Sequence, residues 1–214
     1  MFKKNDLSQA VHNDNGPIFA EAIIMQNAAF IALSVLIAAL FTSGCRKDFF
    51  LSNEQEVLFQ YEYRNDTDGK QLEGFFIDRQ GNILSYKNPA EWNHPDSDLT
   101  IYSDLLSGNL DKCAISEKNI SMTELEKYSR YIFNISLSKV SAPRQTGNDT
   151  GSHSYICYRF DEVSNTYTGH LIRMEGDINR GNLNFYSKKI VSWMKDINRD
   201  ISDNQLQIPD PDTQ

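Results

Sequence analysis

From Ala28 to Phe41 the chain reads AAFIALSVLIAALF, without one charged residue. A run of about 14 apolar residues is short of the roughly 20 that a helix needs to cross hydrocarbon. It lies within the about 7–15 residues of the apolar region of an export signal. The run therefore divides the chain. Residues 1–44 read as a leader, and the roughly 170 residues that follow are enough for one substantial core. Composition agrees, with 40% hydrophobic and 23% charged residues, ordinary for a globular domain.

Directly after the run come Thr42-Ser43-Gly44-Cys45 and then Arg46-Lys47-Asp48. Small residues followed by Cys at the end of an apolar run resemble the lipobox of bacterial lipoproteins. The resemblance implies that the Cys45 thiol receives a diacylglyceryl group and that the Gly44–Cys45 bond is cut. It further implies that the new amino group is acylated, so that the chain is held at a membrane through its lipid anchor. Thr42 stands where the family usually has Leu. Lys3 and Lys4 lie far upstream of the run, and Met25 is a second candidate start. In this family an Asp after the Cys tends to retain the protein at the inner membrane. Here that position is Arg46, which favours the outer membrane; periplasmic and surface-facing placements both stay open.

With Cys45 consumed, Cys113 and Cys157 remain, and an exporting compartment permits a bridge between them. Such a bridge would close a loop of about 45 residues and add roughly 2–4 kcal/mol. Two buried free thiols are the alternative. The formal net charge is -8, and no basic cluster interrupts it. That argues against nucleic acid as a partner.

The mature part reads as a tether over 45–55, one domain over 56–200 and a disordered acidic tail over 201–214. Val57, Phe59, Tyr61 and Tyr63 alternate with Leu58, Gln60 and Glu62, the period of a strand. Phe75–Asp78 and Ile83–Tyr86 flank Gly81 as a hairpin. Residues 88–98 form a loop, and a helix is expected after it, with Leu99, Tyr102 and Leu106 on one face and a stop at Gly108. Ser121-Met122-Thr123-Glu124 matches a capping box at the head of a helix bearing Leu125, Tyr128, Ile132 and Ile135. After a loop over 141–152, Tyr155–Phe160 and Thr166–Glu175 form a second hairpin, and 176–182 a polar turn. A last helix places Tyr186, Ile190, Trp193, Met194 and Ile197 on one face. Grouped antiparallel strands with helices set apart predict an α+β fold, an antiparallel sheet of about five strands packed against two or three helices. The two hairpins and the Trp193 helix resemble uncharacterised bacterial exported domains, a resemblance that brings no activity with it.

Candidate chemistry is sparse. Trp92, His94 and Asp96, followed by Asp98, join an imidazole and carboxylates in one loop and form the candidate ligand loop. Asp96 or Asp98 serves equally well as a helix N-cap. His153 and His170 lack a third ligand with ordered spacing, so no metal site is expected. Asp66-Thr67-Asp68-Gly69 fails the calcium-loop pattern, with Arg64 and Phe75 at the first and twelfth positions. Glu175 and Asp177, with Arg180 close by, read chiefly as a solvated turn with a local ion pair, a polar-ligand site being the alternative. Tyr61, Tyr63, Tyr86, Tyr155, Tyr158 and Tyr167 read chiefly as sheet packing, with a carbohydrate- or peptide-binding face as the alternative. No G-x-S-x-G or Walker loop occurs. No catalytic residue and no cofactor is therefore expected. The reading is a lipid-anchored envelope protein with a non-catalytic binding or maintenance role, its envelope partner or ligand unidentified. The alternatives are a hydrolase using His94 and Asp96, or an inhibitor that plugs an enzyme cleft with the 88–98 loop.

Overall fold

The computed structural model describes residues 51–205, apart from Asp68, Asn148 and Asp149. The leader, Cys45 and the tail beyond Gln205 lie outside the described residues.

An antiparallel sheet of nine strands organises the domain. In chain order these are β1 (Val57–Asn65), β2 (Gln71–Asp78), β3 (Asn82–Lys87), β4 (Thr100–Tyr102) and β5 (Ala114–Asn119), then β6 (Arg144–Gln145), β7 (Ser152–Asp161), β8 (Thr166–Gly176) and β9 (Ile178–Gly181). The spatial order is β5-β3-β2-β1-β7-β8-β9-β6, with β4 paired to the first residues of β8. The helices are α1 (Ser103–Leu110), α2 (Met122–Ser129), α3 (Ile132–Ser136) and α4 (Ser187–Gln205). The fold is α+β with an antiparallel sheet, and both expected hairpins form, but the sheet is wider than the five strands expected.

The extra strands have physical reasons. Thr100-Ile101-Tyr102 extends to pair with Thr166–Thr168 of β8, so the helix expected from Leu99 starts only at Ser103. Leu99 has φ +60°, Tyr102 is exposed, and Gly108 lies inside α1, which ends at Leu110. β5 is an exposed edge strand carrying Glu117 and Lys118, charges that block further strand addition. The supposed polar turn at 176–182 contains β9, bonded to both β8 and β6.

At the β2–β3 turn, Gly81 has φ +85°, and a side chain there would meet the Ile120 carbonyl at 2.2 Å. The Asp78 carboxylate accepts hydrogen bonds from the Gln80 and Asn82 amides at 2.9 and 2.8 Å, fixing the turn.

Parity assigns the strands to two layers. Phe59, Tyr61, Phe75, Ile77, Tyr155 and Cys157 face α2, α3 and α4 and form the larger core with Tyr128, Ile190, Trp193 and Met194. Val57, Phe76, Ile156, Tyr158 and Leu171 face the other way, toward α1 and the 88–98 loop. A register shift between Val57 and Phe59 places Val57 on this second face, against the simple alternation expected.

The Ser121 hydroxyl caps α2 by accepting from the Glu124 amide at 3.3 Å. The reciprocal half of the capping box is replaced: Glu124 Oε1 accepts from the Trp193 indole N–H at 2.9 Å, tying α2 to α4. Trp193 also stacks on Tyr128 at 4.2 Å and meets Phe59 edge-on at 5.3 Å.

Two further expectations are corrected. The tether ends before residue 56, because Gln55 is fully buried and its amide donates to the Val57 and Tyr158 carbonyls, each at 2.8 Å. The folded domain runs past residue 200, since α4 continues to Gln205. In this structure Cys113 and Cys157 are free thiols, the alternative to a bridge that the sequence leaves open. Cys157 belongs to the helix-side core and Cys113 packs on the opposite layer, so the sheet lies between them.

Candidate functional site

The face turned away from α2, α3 and α4 holds a cleft of about 620 Å³, within the range of small-molecule sites. The central strands supply its floor, and α1 with the 88–98 loop supplies its roof. Gln60, Glu62 and Arg64 reach it from alternate positions of β1, and Ser152, Ser154, Ile156 and Tyr158 from β7. Met174 and Arg180 close the far side. Phe76, Ile101, Leu106 and Leu171 make the lining apolar between these polar groups.

The roof is pinned at several points. Asn109 accepts from the Asn93 amide at 2.9 Å and donates to the Asn93 carbonyl at 2.7 Å, while the Asn93 side chain donates to the Leu105 carbonyl at 3.0 Å. Trp92 lies over Tyr86 and Phe76, with ring centroids 4.4 and 6.0 Å away. Asp96 accepts from the Asp98 and Thr100 amides at 2.9 and 2.8 Å. Its carboxylate therefore shapes the loop, and neither Asp96 nor Asp98 caps α1, whose N-cap is Tyr102.

All three residues of the candidate ligand loop line the cleft. Trp92 forms a wall, Asp96 is committed to its own backbone, and His94 stands exposed at the rim. Partial burial, assisted by the Arg64 charge, lowers the His94 pKa below its ordinary value against an opposing effect of Asp66.

The polar centre of the cleft lies deeper. The Tyr158 hydroxyl donates to Gln60 Oε1, and Gln60 Nε2 donates to the Tyr86 hydroxyl at 2.8 Å and to Glu62 Oε2 at 3.1 Å. Gly74 makes room for this cluster: a methyl group there would lie 2.8 Å from the Tyr86 hydroxyl and 2.0 Å from the Tyr61 carbonyl. Desolvation raises the Glu62 pKa above the usual carboxylate value, opposed by the Arg64 charge and by hydrogen bonds from Tyr86 and Gln60.

The sequence does not single out Gln60, Glu62 or Arg64 as ligand-site residues, and it offers Arg180 only beside Glu175 and Asp177 as an alternative polar-ligand site. Gln60 and Glu62 read there only as alternate positions of a strand, Arg64 as part of a polar turn, and Arg180 chiefly as part of a solvated turn. Only a roof contributed by a distant loop turns that strand face into a cleft.

His153 and His170 do not meet. His153 lies opposite Glu175 and His170 opposite Cys157 in the β7–β8 ladder, and His153 Nδ1 is 2.8 Å from the Tyr61 hydroxyl on the helix side. Among the described residues no group of three His, Cys, Asp or Glu side chains is placed to hold a metal. Glu175 pairs with Arg173 and Lys195 at 3.3 and 2.6 Å, and Asp177 accepts from the Thr150 and Gly151 amides at 2.8 and 3.0 Å. Of the tyrosines, Tyr61, Tyr86, Tyr155, Tyr158 and Tyr167 are buried. A second, more open groove of about 850 Å³ beside α4 has its charges largely paired through Glu175.

Compared with known protein families, curated proteins and solved structures, the chain matches none.

Proposed function

We propose that the chain is a lipid-anchored protein of the bacterial cell envelope whose domain is a non-catalytic binding module, the cleft beneath the 88–98 loop being its ligand site. One observation carries the binding reading: a roofed cleft of about 620 Å³ with an apolar lining and a few inward polar groups. The lipobox-like Thr42–Cys45 carries the anchoring, with two or more acyl chains giving stable attachment where a single chain does not. The outer membrane is the favoured location.

The geometry supports the two alternatives less well. A hydrolase using His94 and Asp96 needs the two side chains within hydrogen-bond reach of each other or of a shared proton, whereas Asp96 bonds the Asp98 and Thr100 amides of its own loop and makes no hydrogen bond to His94. An inhibitor would present the 88–98 loop outward, whereas Trp92 and Asn93 are drawn down onto the sheet and α1.

Native mass spectrometry of the full chain, released from its own membranes in mild detergent, tests both parts. The expected spectrum shows a diacylglyceryl-modified Cys45 and a non-covalent small-molecule adduct. The adduct should vanish in Ser154→Phe, which fills the floor, provided that thermal melting shows this variant folded. An unmodified peptide crossing Gly44–Cys45 overturns the anchor. A wild-type chain that never carries an adduct overturns the binding reading.

A further inference from the structure

Most charges around the cleft are already spent. Arg64 pairs with Asp66 at 2.9 Å. Asp177 is held by backbone amides on both oxygens, while Asp96 is held on Oδ1 alone and stands exposed to solvent. His94 and Asp98 stand at the exposed rim. Two interior groups keep unused capacity. Glu62 takes both of its hydrogen bonds on Oε2, leaving Oε1 without a partner among the described residues. The Arg180 guanidinium makes no hydrogen bond or ion pair to any described residue, and its Nε is buried and unpartnered. A buried N–H without an acceptor costs free energy, and a bound anion would supply the acceptor that this Nε lacks.

The sheet register relates these two groups. Glu62 lies opposite Ser154, Ser154 opposite Met174, and Met174 opposite Arg180. Residues directly opposite one another share a face, so the four form one row across β1, β7, β8 and β9. Three interstrand spacings separate the Cα atoms of its ends by about 14 Å. Small or apolar side chains, Ser154 and Met174, lie between an acid and a base. An extended peptide spans at most about 3.3–3.6 Å per residue, so about four residues cover the Cα distance and about three suffice once the lengths of the Glu62 and Arg180 side chains are allowed for.

Resting on the binding reading above, we propose that the ligand is a short unblocked peptide lying along this row. Its amino terminus meets Glu62 and its terminal carboxylate meets Arg180. The ammonium supplies the donors that Glu62 Oε1 lacks, and the carboxylate supplies the acceptors that the guanidinium lacks. The body of the peptide lies over Ser154 and Met174, beneath Trp92. Recognition is by the two ends and by length, with limited demand on the side chains.

Calorimetric titration of the full chain in detergent tests this with trialanine, N-acetyl-trialanine and trialanine amide. The unblocked peptide is expected to bind, and each blocking group to weaken binding by about tenfold or more, the worth of one charge-assisted hydrogen bond. Arg180→Gln should erase the distinction between acid and amide while keeping that between amine and acetamide; Glu62→Gln should do the reverse. Equal binding of blocked and unblocked peptides by the wild-type chain overturns the proposal without relying on any variant. Decanoate and a linear disaccharide form the control arm. If either binds, and Ser154→Phe abolishes it while no peptide binds, the peptide assignment falls and the binding reading stands. If nothing binds and the native chain carries no adduct, both fall.

Discussion

Glu62 holds its carboxyl group where water is scarce, and its pKa is raised chiefly by desolvation. Well below the ordinary carboxylate pKa, the group is protonated in both folded and unfolded chains and costs nothing. As pH climbs through the raised value, the folded chain must carry a charge that the unfolded chain carries more easily, and stability is lost. Glu62→Gln keeps an acceptor for Gln60 and never ionises. It should therefore melt with the wild-type chain in acid and above it near neutrality. The expected gain is about 2–4 °C, the shift that 1 kcal/mol makes in a domain of this size. Calorimetry across the pH range measures it, and parallel melting curves for the two chains would contradict it.

The elements differ in how plainly their residues announce them. The β2–β3 hairpin and the start of α2 were legible because their signals are local: Gly81 at φ +85° and the Ser121 cap each act within a few residues, whereas the single helix expected through Ile132 and Ile135 breaks at Arg130 and Tyr131 into α2 and α3. β4 and β9 were not, because Thr100–Tyr102 and Ile178–Gly181 extend only by pairing with β8 and β6, far along the chain. Half of the candidate site was visible for the same reason. Trp92, His94 and Asp96 share a loop, whereas Gln60, Glu62 and Arg64 of β1 meet that loop and Arg180 only through tertiary packing and pairing. Glu124 shows one residue diverted from local to distant duty, leaving the capping box to bond Trp193. A double-mutant cycle should expose that link. Glu124→Ala is expected to cost about 1 kcal/mol in the wild-type chain and much less beside Trp193→Phe, leaving a coupling of about 0.5–1.5 kcal/mol. Urea denaturation supplies all four stabilities, and additive effects would remove the link.

For the whole molecule, the sheet is a partition. It separates Cys113 from Cys157, and burial pushes the Cys113 thiol up to about 12 and that of Cys157 well above its ordinary value. Both are poor nucleophiles at neutral pH. Thiol labelling of the folded chain should reach half-buried Cys113 through local opening, and Cys157 only at the rate of global unfolding. Mobility on a gel should be the same with and without reductant; a reductant-dependent shift within the monomer would reveal a bridge. The same partition has a consequence for descent. Odd positions of β1 from Phe59 to Tyr63 look toward the helices, and even positions from Gln60 to Arg64 look toward the cleft. Scaffold and guest are thus written in alternating letters of one word. A lineage can respell the even letters for a different guest while the odd letters go on holding the scaffold upright.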